Sequence, residues 1–460
     1  MSIPSKEESP SPLESLTERF RTVCESAVDP LEVASALEFD GVSDRAARAG
    51  YDVPDVFALG RLLYARVPRE PAPPEAEPDP WRASQPLLHG LLYALPAVCF
   101  PAGGALLVGP GKLPALVIAL LASWGLSQGL AAVGYLRLGT SGIGPARRVL
   151  RDGLAVCLVV VVVTMTVVAL VVHARPAVLP FGVGEGAYML GACVLFVTGG
   201  ERWLPVALAP GVTGATVFLV LGKPTVLEYQ TWAALAATPL LACLIAVAYT
   251  GEVGPRDGHG RLLNRAELLG ALPAVALGLT AAGLLSFPLV AGVSGHGGEN
   301  VGALIASVPL ALSMGAAEWS LLWYRRAARR LLWQTDDPHW FSGRVARLLL
   351  VALAQYVSGM IATVGVALGV AVLAAQVRPD QTVLLSIASY LLLGAAMFLV
   401  LLLQTLRVRL VPLALAALAL GAELGLRRYG LAVQLAAPAA LLATVGAYAY
   451  IRLGEAVLHV

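Results

Sequence analysis

Charge is what this sequence lacks most. Only 13% of its 460 residues are Asp, Glu, Lys or Arg, against about 25% in an ordinary soluble domain. A soluble enzyme with so little charge would not keep its surface wetted, so that class is excluded. Lysine is nearly absent, three residues against 29 arginines. The six histidines, His89, His173, His259, His296, His339 and His459, stand singly. No HExxH pair or His/Cys spacing links them, so metal catalysis has no ligand set, and no metal or cofactor is expected. There is no Walker loop, hence no ATP-driven motor within the chain. The five cysteines, Cys24, Cys99, Cys157, Cys193 and Cys243, form no CxxC pair, which excludes a disulfide scaffold. Four lie inside apolar stretches and read as small buried residues. No cleavable signal segment is read in the first 84 residues, which are polar.

Apolar length is what the sequence has. Some 57% of residues are apolar. Twelve runs approach the roughly 20 residues that a helix needs to cross a bilayer: 86–108, 114–136, 153–173, 184–200, 203–222, 231–250, 268–292, 301–324, 346–375, 381–406, 408–426 and 430–453. They are rich in Ala, Leu and Val and too long for outer-membrane strands, so helices are expected. Only Gly199-Gly200-Glu201-Arg202 separates the fourth run from the fifth, and the count falls to eleven if that break lies inside the bilayer. The expected fold class is all-α: a polytopic membrane protein of about twelve transmembrane helices, with a small N-terminal helical module.

Orientation follows from loop arginines. With the N-terminus inside, the inside segments carry 17 Lys/Arg and the outside ones 6, namely Lys112, Arg175, Lys223, Arg378, Arg427 and Arg428. Both termini are therefore expected in the cytoplasm, with the body in the inner (plasma) membrane. Arg427 and Arg428 run against the rule.

The runs divide six and six around a Gly-rich charged link. The expected organisation is a disordered tail over 1–10, a cytoplasmic helical module over 11–67 and a Pro/Glu linker over 68–84. A first six-helix lobe (85–250), a link (251–267), a second lobe (268–453) and a tail (454–460) follow. In each half the longest inside loop follows the second run, Arg137–Asp152 and Tyr324–Ala346. Each loop is basic and is expected to hold a short surface helix, ARRVLRDG or YRRAARRLLWQ. Each half also opens with a proline-bearing run, Pro96 and Pro101 in one, Pro273 and Pro288 in the other. This pattern predicts a parallel repeat about an axis along the membrane normal, with a central cavity.

The head is acidic: residues 1–84 hold 9 Lys/Arg and 16 Asp/Glu, net −7, while the rest is net +9. Spacing predicts a helix over 12–27, a second begun by Asp29-Pro30, a third capped by Ser43 and a fourth over VPDVFALGRLLYARV. No phosphate loop or nucleophile elbow is present, and the negative charge opposes nucleic acid binding. A module for a cytoplasmic protein partner is expected.

Ionisable or polar residues inside membrane runs are the functional candidates. For transport or cavity lining these are Glu318, two turns from the inner end of the eighth run, and Gln128, Gln355 and Tyr356. Glu185 begins the fourth run. Glu423 ends the eleventh, where an i,i+4 pair with Arg427 is expected. Arg147, Arg148, Arg325, Arg326, Arg329 and Arg330 are candidates for anionic headgroup or lipid binding. Trp323, Trp333 and Trp340 beside them read as an interfacial belt. Asp336-Asp337 reads as a solvated turn.

Twelve helices in a parallel 6+6 arrangement, basic loops after the second and eighth, and the segment GAAEWSLLWYRRAARRLL resemble the multidrug/oligosaccharidyl-lipid/polysaccharide exporter superfamily over 86–453. Within it the sequence is similar to polysaccharide transporters, including the membrane subunit of the Pel system. The resemblance implies a V-shaped cavity between two lobes and outward movement, by alternating access, of a polysaccharide or lipid-linked glycan. Two features depart from it. Lipid-pyrophosphate flippases of the superfamily place arginines in the cavity, whereas here arginine is nearly absent from the runs. The acidic head is not a usual part of the family.

Three functions follow. The first is a glycan or glycolipid flippase, not an enzyme, in which Glu318 lines the cavity. The second is a non-transporting scaffold that recruits a cell-envelope or glycan-synthesis partner through the head. The third, an intramembrane transferase, needs paired acidic or His residues at one depth, and no such pair is found.

Overall fold

The computed structural model describes residues 12–27, 29–67, 92, 95–107, 112–251, 265–294, 301–333, 338–375, 380–406 and 408–454. The expected tail at 1–10, the linker at 68–84, most of the 251–267 link, the Asp336–Asp337 turn and nearly all of the C-terminal tail lie outside the described residues. Contacts separate two units, Met1–Ala83 and Ser84–Val460.

Among the described residues the first unit holds five helices: α1 (Pro12–Arg19), α2 (Arg21–Ser26), α3 (Pro30–Phe39), α4 (Asp44–Tyr51) and α5 (Val56–Arg66). Capping sets their starts. Asp29 accepts from the backbone N–H of Leu31 at 2.8 Å and of Glu32 at 3.1 Å, with Pro30 in the first turn, where no N–H is missed. Ser43 caps α4, and Asp55 accepts from Ala58 at 2.7 Å to cap α5. The helix expected over 12–27 is interrupted at Phe20, and Arg19 pairs with Asp40 beside the break. Leu16, Phe20, Cys24, Val33, Leu37, Val56, Leu59 and Leu63 bury together as the unit's own core.

Among the described residues twelve helices of the second unit can be bounded: α6 (Cys99–Leu106), α7 (Lys112–Ser141), α8 (Ile143–Val171), α9 (Val178–Thr198), α10 (Leu204–Val220), α11 (Glu228–Gly251), α12 (Arg265–Ser294), α13 (Val301–Trp333), α14 (Pro338–Ala375), α15 (Gln381–Thr405), α16 (Leu410–Gly425) and α17 (Leu431–Arg452). Each apolar run holds one of them. Nine helices among the described residues are long and apolar enough to cross a membrane, and α16 is a shorter apolar helix. The valines of α8 show why the solvent is lipid. Val156, Val159, Val163 and Val167 are exposed, and so broad an apolar surface in water would drive association. Hydroxyls within the helices bond back to their own turn, as Thr198 does to the Val194 carbonyl at 2.7 Å and Ser286 to Ala282 at 2.6 Å. The backbone meanwhile satisfies itself within each helix.

The Gly199–Arg202 break is a true chain reversal. Gly199 adopts φ 75° and ends α9, the Gly200 N–H donates to the Leu195 carbonyl at 2.7 Å, and α10 begins at Leu204. Both α9 and α10 then pack on α11. Tyr249 of α11 reaches Gly199 at the end of α9, while Gly211 of α10 meets Thr238 of α11. The fourth and fifth runs are thus two separate helices.

The halves repeat. In the first half α7 packs on α8 and α9, α8 on α9, α11 on α9 and α10, and α6 on α10. In the second, α13 packs on α14 and α15, α14 on α15, α17 on α15 and α16, and α12 on α16. These are the same six pairs, displaced by six helices. Alternating direction and antiparallel packing of α7 with α12 put the ends of α7, α9 and α13 on one face, with the starts of α8, α12 and α14. This is the arginine-rich face.

The two basic loops differ from expectation. α7 continues to Ser141 and α8 begins at Ile143, with Gly142 at φ 85° turning the chain between them. ARRVLRDG is thus the first turns of α8, and YRRAARRLL is the last turns of α13 rather than a separate surface helix. Helix propensity explains it: Ala, Arg and Leu are good helix formers, and nothing in either segment stops the adjoining span. At 33 and 38 residues, α13 and α14 span about 50 and 57 Å at about 1.5 Å per residue, far beyond a hydrocarbon layer of about 30 Å.

Candidate functional site: the seam between the halves and its buried carboxylates

Among the described residues, one helix pair from opposite halves packs extensively, α7 with α12. Its pseudo-symmetric counterpart, α6 with α13, has no comparable contact among those residues. The seam is built for close approach. Gly125 and Gly129 form a GxxxG pair on α7, and Gly278 faces them from α12. A Cβ at Gly125 would sit 2.9 Å from the Leu279 side chain, and one at Gly129 2.6 Å from Val275. A Cβ at Gly278 would meet Gln128 at 2.9 Å and the Trp124 carbonyl at 3.0 Å. Toward the arginine-rich face, Val133 and Val149 pack with Ala271. There Arg137 Nη2 donates to Glu267 Oε2 at 2.8 Å, and its Nε lies 2.8 Å from Oε1. Both side chains are about four-fifths buried, at 19% and 18% exposure, so this pair ties the two halves together where water screens it weakly.

The expected site residues are distributed rather than gathered. Gln128 lies at the seam against Gly278. Glu318 is half-buried on α13. Tyr356 is not a cavity residue. It is 4% exposed, hydrogen-bonds with Ser313 of α13 at 3.1 Å and stacks on Phe398 at 4.8 Å, inside the core of the second half. Neighbouring Gln355 is half-buried, with its Oε1 enclosed and without a hydrogen-bond partner. Arg147 is turned into the protein, its guanidinium 5.0 Å from the centre of the Tyr249 ring, so it is spent on joining α8 to α11. Arg148 is half-buried. Arg325, Arg326, Arg329 and Arg330 are exposed.

Two carboxylates stand out in the structure. The pair expected between Glu423 and Arg427 does not form. Glu423 has no exposed surface and neither carboxylate oxygen has a hydrogen-bond partner, while Arg427 is exposed in the turn after α16. The helix ends at Gly425, so Arg427 leaves the i,i+4 position on which the pairing depends. Around Glu423, Leu420 packs on Gly283 of α12, and Tyr390 of α15 donates to the Leu285 carbonyl of α12 at 3.2 Å. Glu185, two turns into α9, likewise has both oxygens enclosed without partners. It lies near the Phe181–Trp232 edge-to-face pair, whose rings are 6.3 Å apart. Among the described residues there is thus one such carboxylate per half, each nearer the face opposite the Arg137–Glu267 pair. A run of apolar neighbours was the only available sign of burial, and it does not reveal the missing partner. Among the described residues no group of three His, Cys, Asp or Glu is placed to hold a metal ion.

No family model and no curated protein matches the sequence. Solved structures do resemble it. A Vibrio cholerae MATE transporter in its bent form gives a TM-score of 0.46 at 16% identity, over 81% of this chain and 96% of that one. A MOP superfamily transporter from Pyrococcus furiosus gives 0.46 at 15%, over 82% and 96%. An outward-facing multidrug resistance MATE family transporter of the MOP superfamily gives 0.52 at 15%, over 82% and 96%. The likeness is one of fold: this chain is an all-helical polytopic membrane protein with the architecture of a MATE transporter.

Proposed function

We propose that the chain is an alternating-access membrane transporter. The observation that carries this reading is the pairing of two like-folded halves along the α7–α12 seam, tied at one face by Arg137–Glu267. A seam of that kind rocks as a hinge line, closing one face while the other opens. The positive-inside rule makes the arginine-rich face cytoplasmic, in the inner membrane, with both termini inside. Glu185 and Glu423 supply coupling. An ionised carboxylate enclosed in a membrane protein without a partner is costly, so each gains a proton or cation when its surroundings close and releases it when they open to water.

Glu185, Glu318 and Glu423, away from the arginine-rich helix ends, are acidic. The substrate is accordingly uncharged or cationic. An uncharged polysaccharide fits, and so does a cationic amphiphile. A glycan on a lipid pyrophosphate needs cations within the cavity, and the arginines of α7 and α8 sit at the ends of those helices on the arginine-rich face. The test is uptake by the full chain in proteoliposomes, driven by a proton or sodium gradient, with a labelled neutral oligosaccharide and a cationic dye as probes. Wild type is expected to accumulate one of them, and Glu423→Gln and Glu185→Gln to lower the rate at least about tenfold while remaining folded. No gradient-driven uptake of either probe would leave the scaffold reading, in which the acidic head recruits a cytoplasmic partner.

A further inference from the structure

The two helical hairpins on the arginine-rich face use their arginines differently. In the first, the fold consumes them: Arg137 binds Glu267, Arg147 covers Tyr249 and Arg151 lies 3.5 Å from Asp152. In the second, Arg325, Arg326, Arg329 and Arg330 are exposed at the end of α13. The stretch of α13 from Trp319 to Trp333 carries no acidic residue; Glu318 stands two turns before Arg325. They occupy i, i+1, i+4 and i+5 of one helix, so each guanidinium has like-charged neighbours three or four residues away, and that spacing opposes the helix unless anions intervene. Arg344 and Arg347, also exposed, begin the antiparallel partner α14. Depth identifies the anion. The apolar part of α13 ends at Trp323 and the buried Tyr324. The next six residues rise about 9 Å along the axis, comparable to a headgroup layer of about 5–7 Å. Trp319 is exposed one turn before, at the level where amphipathic rings sit.

We propose that Arg325, Arg326, Arg329 and Arg330 form a binding site for the phosphates of anionic phospholipid headgroups, which completes the charge balance of the α13–α14 hairpin. The site holds whatever the transporter carries, because it needs only that α13 crosses the bilayer. The test compares lipids retained by the full chain, by native mass spectrometry, after exchange into phosphatidylcholine with or without phosphatidylglycerol. Wild type is expected to retain phosphatidylglycerol preferentially, and the quadruple variant R325Q/R326Q/R329Q/R330Q to lose that preference by at least about tenfold. The all-lysine variant, which keeps the charge, is expected to retain most of it. Equal retention of both lipids by wild type, or an undiminished preference in the glutamine variant, would overturn the proposal. So would displacement of phosphatidylglycerol by equimolar inorganic pyrophosphate, which would make the partner a soluble anion. The four side chains are exposed, so an unchanged elution profile on size exclusion separates lost binding from lost folding.

Discussion

Single residues show where chemical type misleads about role. Glu423 and Arg427 have the spacing of a helix pair, yet the helix ends between them and the glutamate is enclosed alone. Tyr356 is polar and sits in a span, yet its hydroxyl is satisfied by Ser313 and its ring by Phe398, so it packs rather than lines. A polar atom within an apolar run is a candidate until its partners are known, and partners come from other helices. Cys24 of the head makes a measurable case. It has no exposed surface, and burial pushes its thiol up from the ordinary value, so little thiolate exists at neutral pH. In the native full chain it is expected to resist maleimide while the head is folded and to react once urea unfolds that unit, as read by peptide mass mapping. Rapid labelling without urea would mean that the five-helix core does not hold.

Elements are set by local signals and adjusted by packing. Asp29-Pro30 and Ser43 start α3 and α4 as expected because capping depends on near neighbours alone. The interruption at Phe20 has no Gly or Pro to announce it. In the head, α5 crosses α3 at Gly60, where a Cβ would lie 2.9 Å from the Pro30 carbonyl oxygen and 3.0 Å from Ala34. Alanine at that position gains about 1 kcal/mol of helix propensity but must push two helix backbones apart, an overpacking cost of about 1–3 kcal/mol. Gly60→Ala is expected to destabilise the head by about 1 kcal/mol net, which raises the native-state labelling rate of Cys24 about fivefold. An unchanged or slower rate would show that the crossing relaxes freely. At the same scale, the basic segments extend α8 and α13 because nothing within them breaks a helix.

The whole molecule turns on the seam. Two six-helix halves share one set of packing pairs, and α7–α12 joins them. If the halves rock, cross-linking the seam stops them. In V133C/A271C the new thiols replace two side chains that pack together across the seam, without adding a Cβ at its glycines. Oxidation is expected to abolish transport in proteoliposomes and reduction to restore it, with the cross-link followed by gel shift. Full transport with a quantitative cross-link would show that α7 and α12 do not separate in the cycle, and would move the hinge elsewhere.

What the sequence by itself determined is the class of solvent and the helical, many-times-crossing architecture. Twelve apolar runs, a scarcity of charge and arginines gathered in alternate connections follow from free energies that act residue by residue. The repeat was visible only as matching loops and prolines. Its demonstration needed the packing pairs, because Ala/Leu/Val helices resemble one another in composition whatever they touch. The tertiary structure alone decided that Arg137 meets Glu267, that Gly125, Gly129 and Gly278 let the halves close, and that Glu185 and Glu423 have no partner. Those are contacts between residues far apart in the chain, or the lack of them, and no periodicity or spacing encodes which distant helix supplies a neighbour.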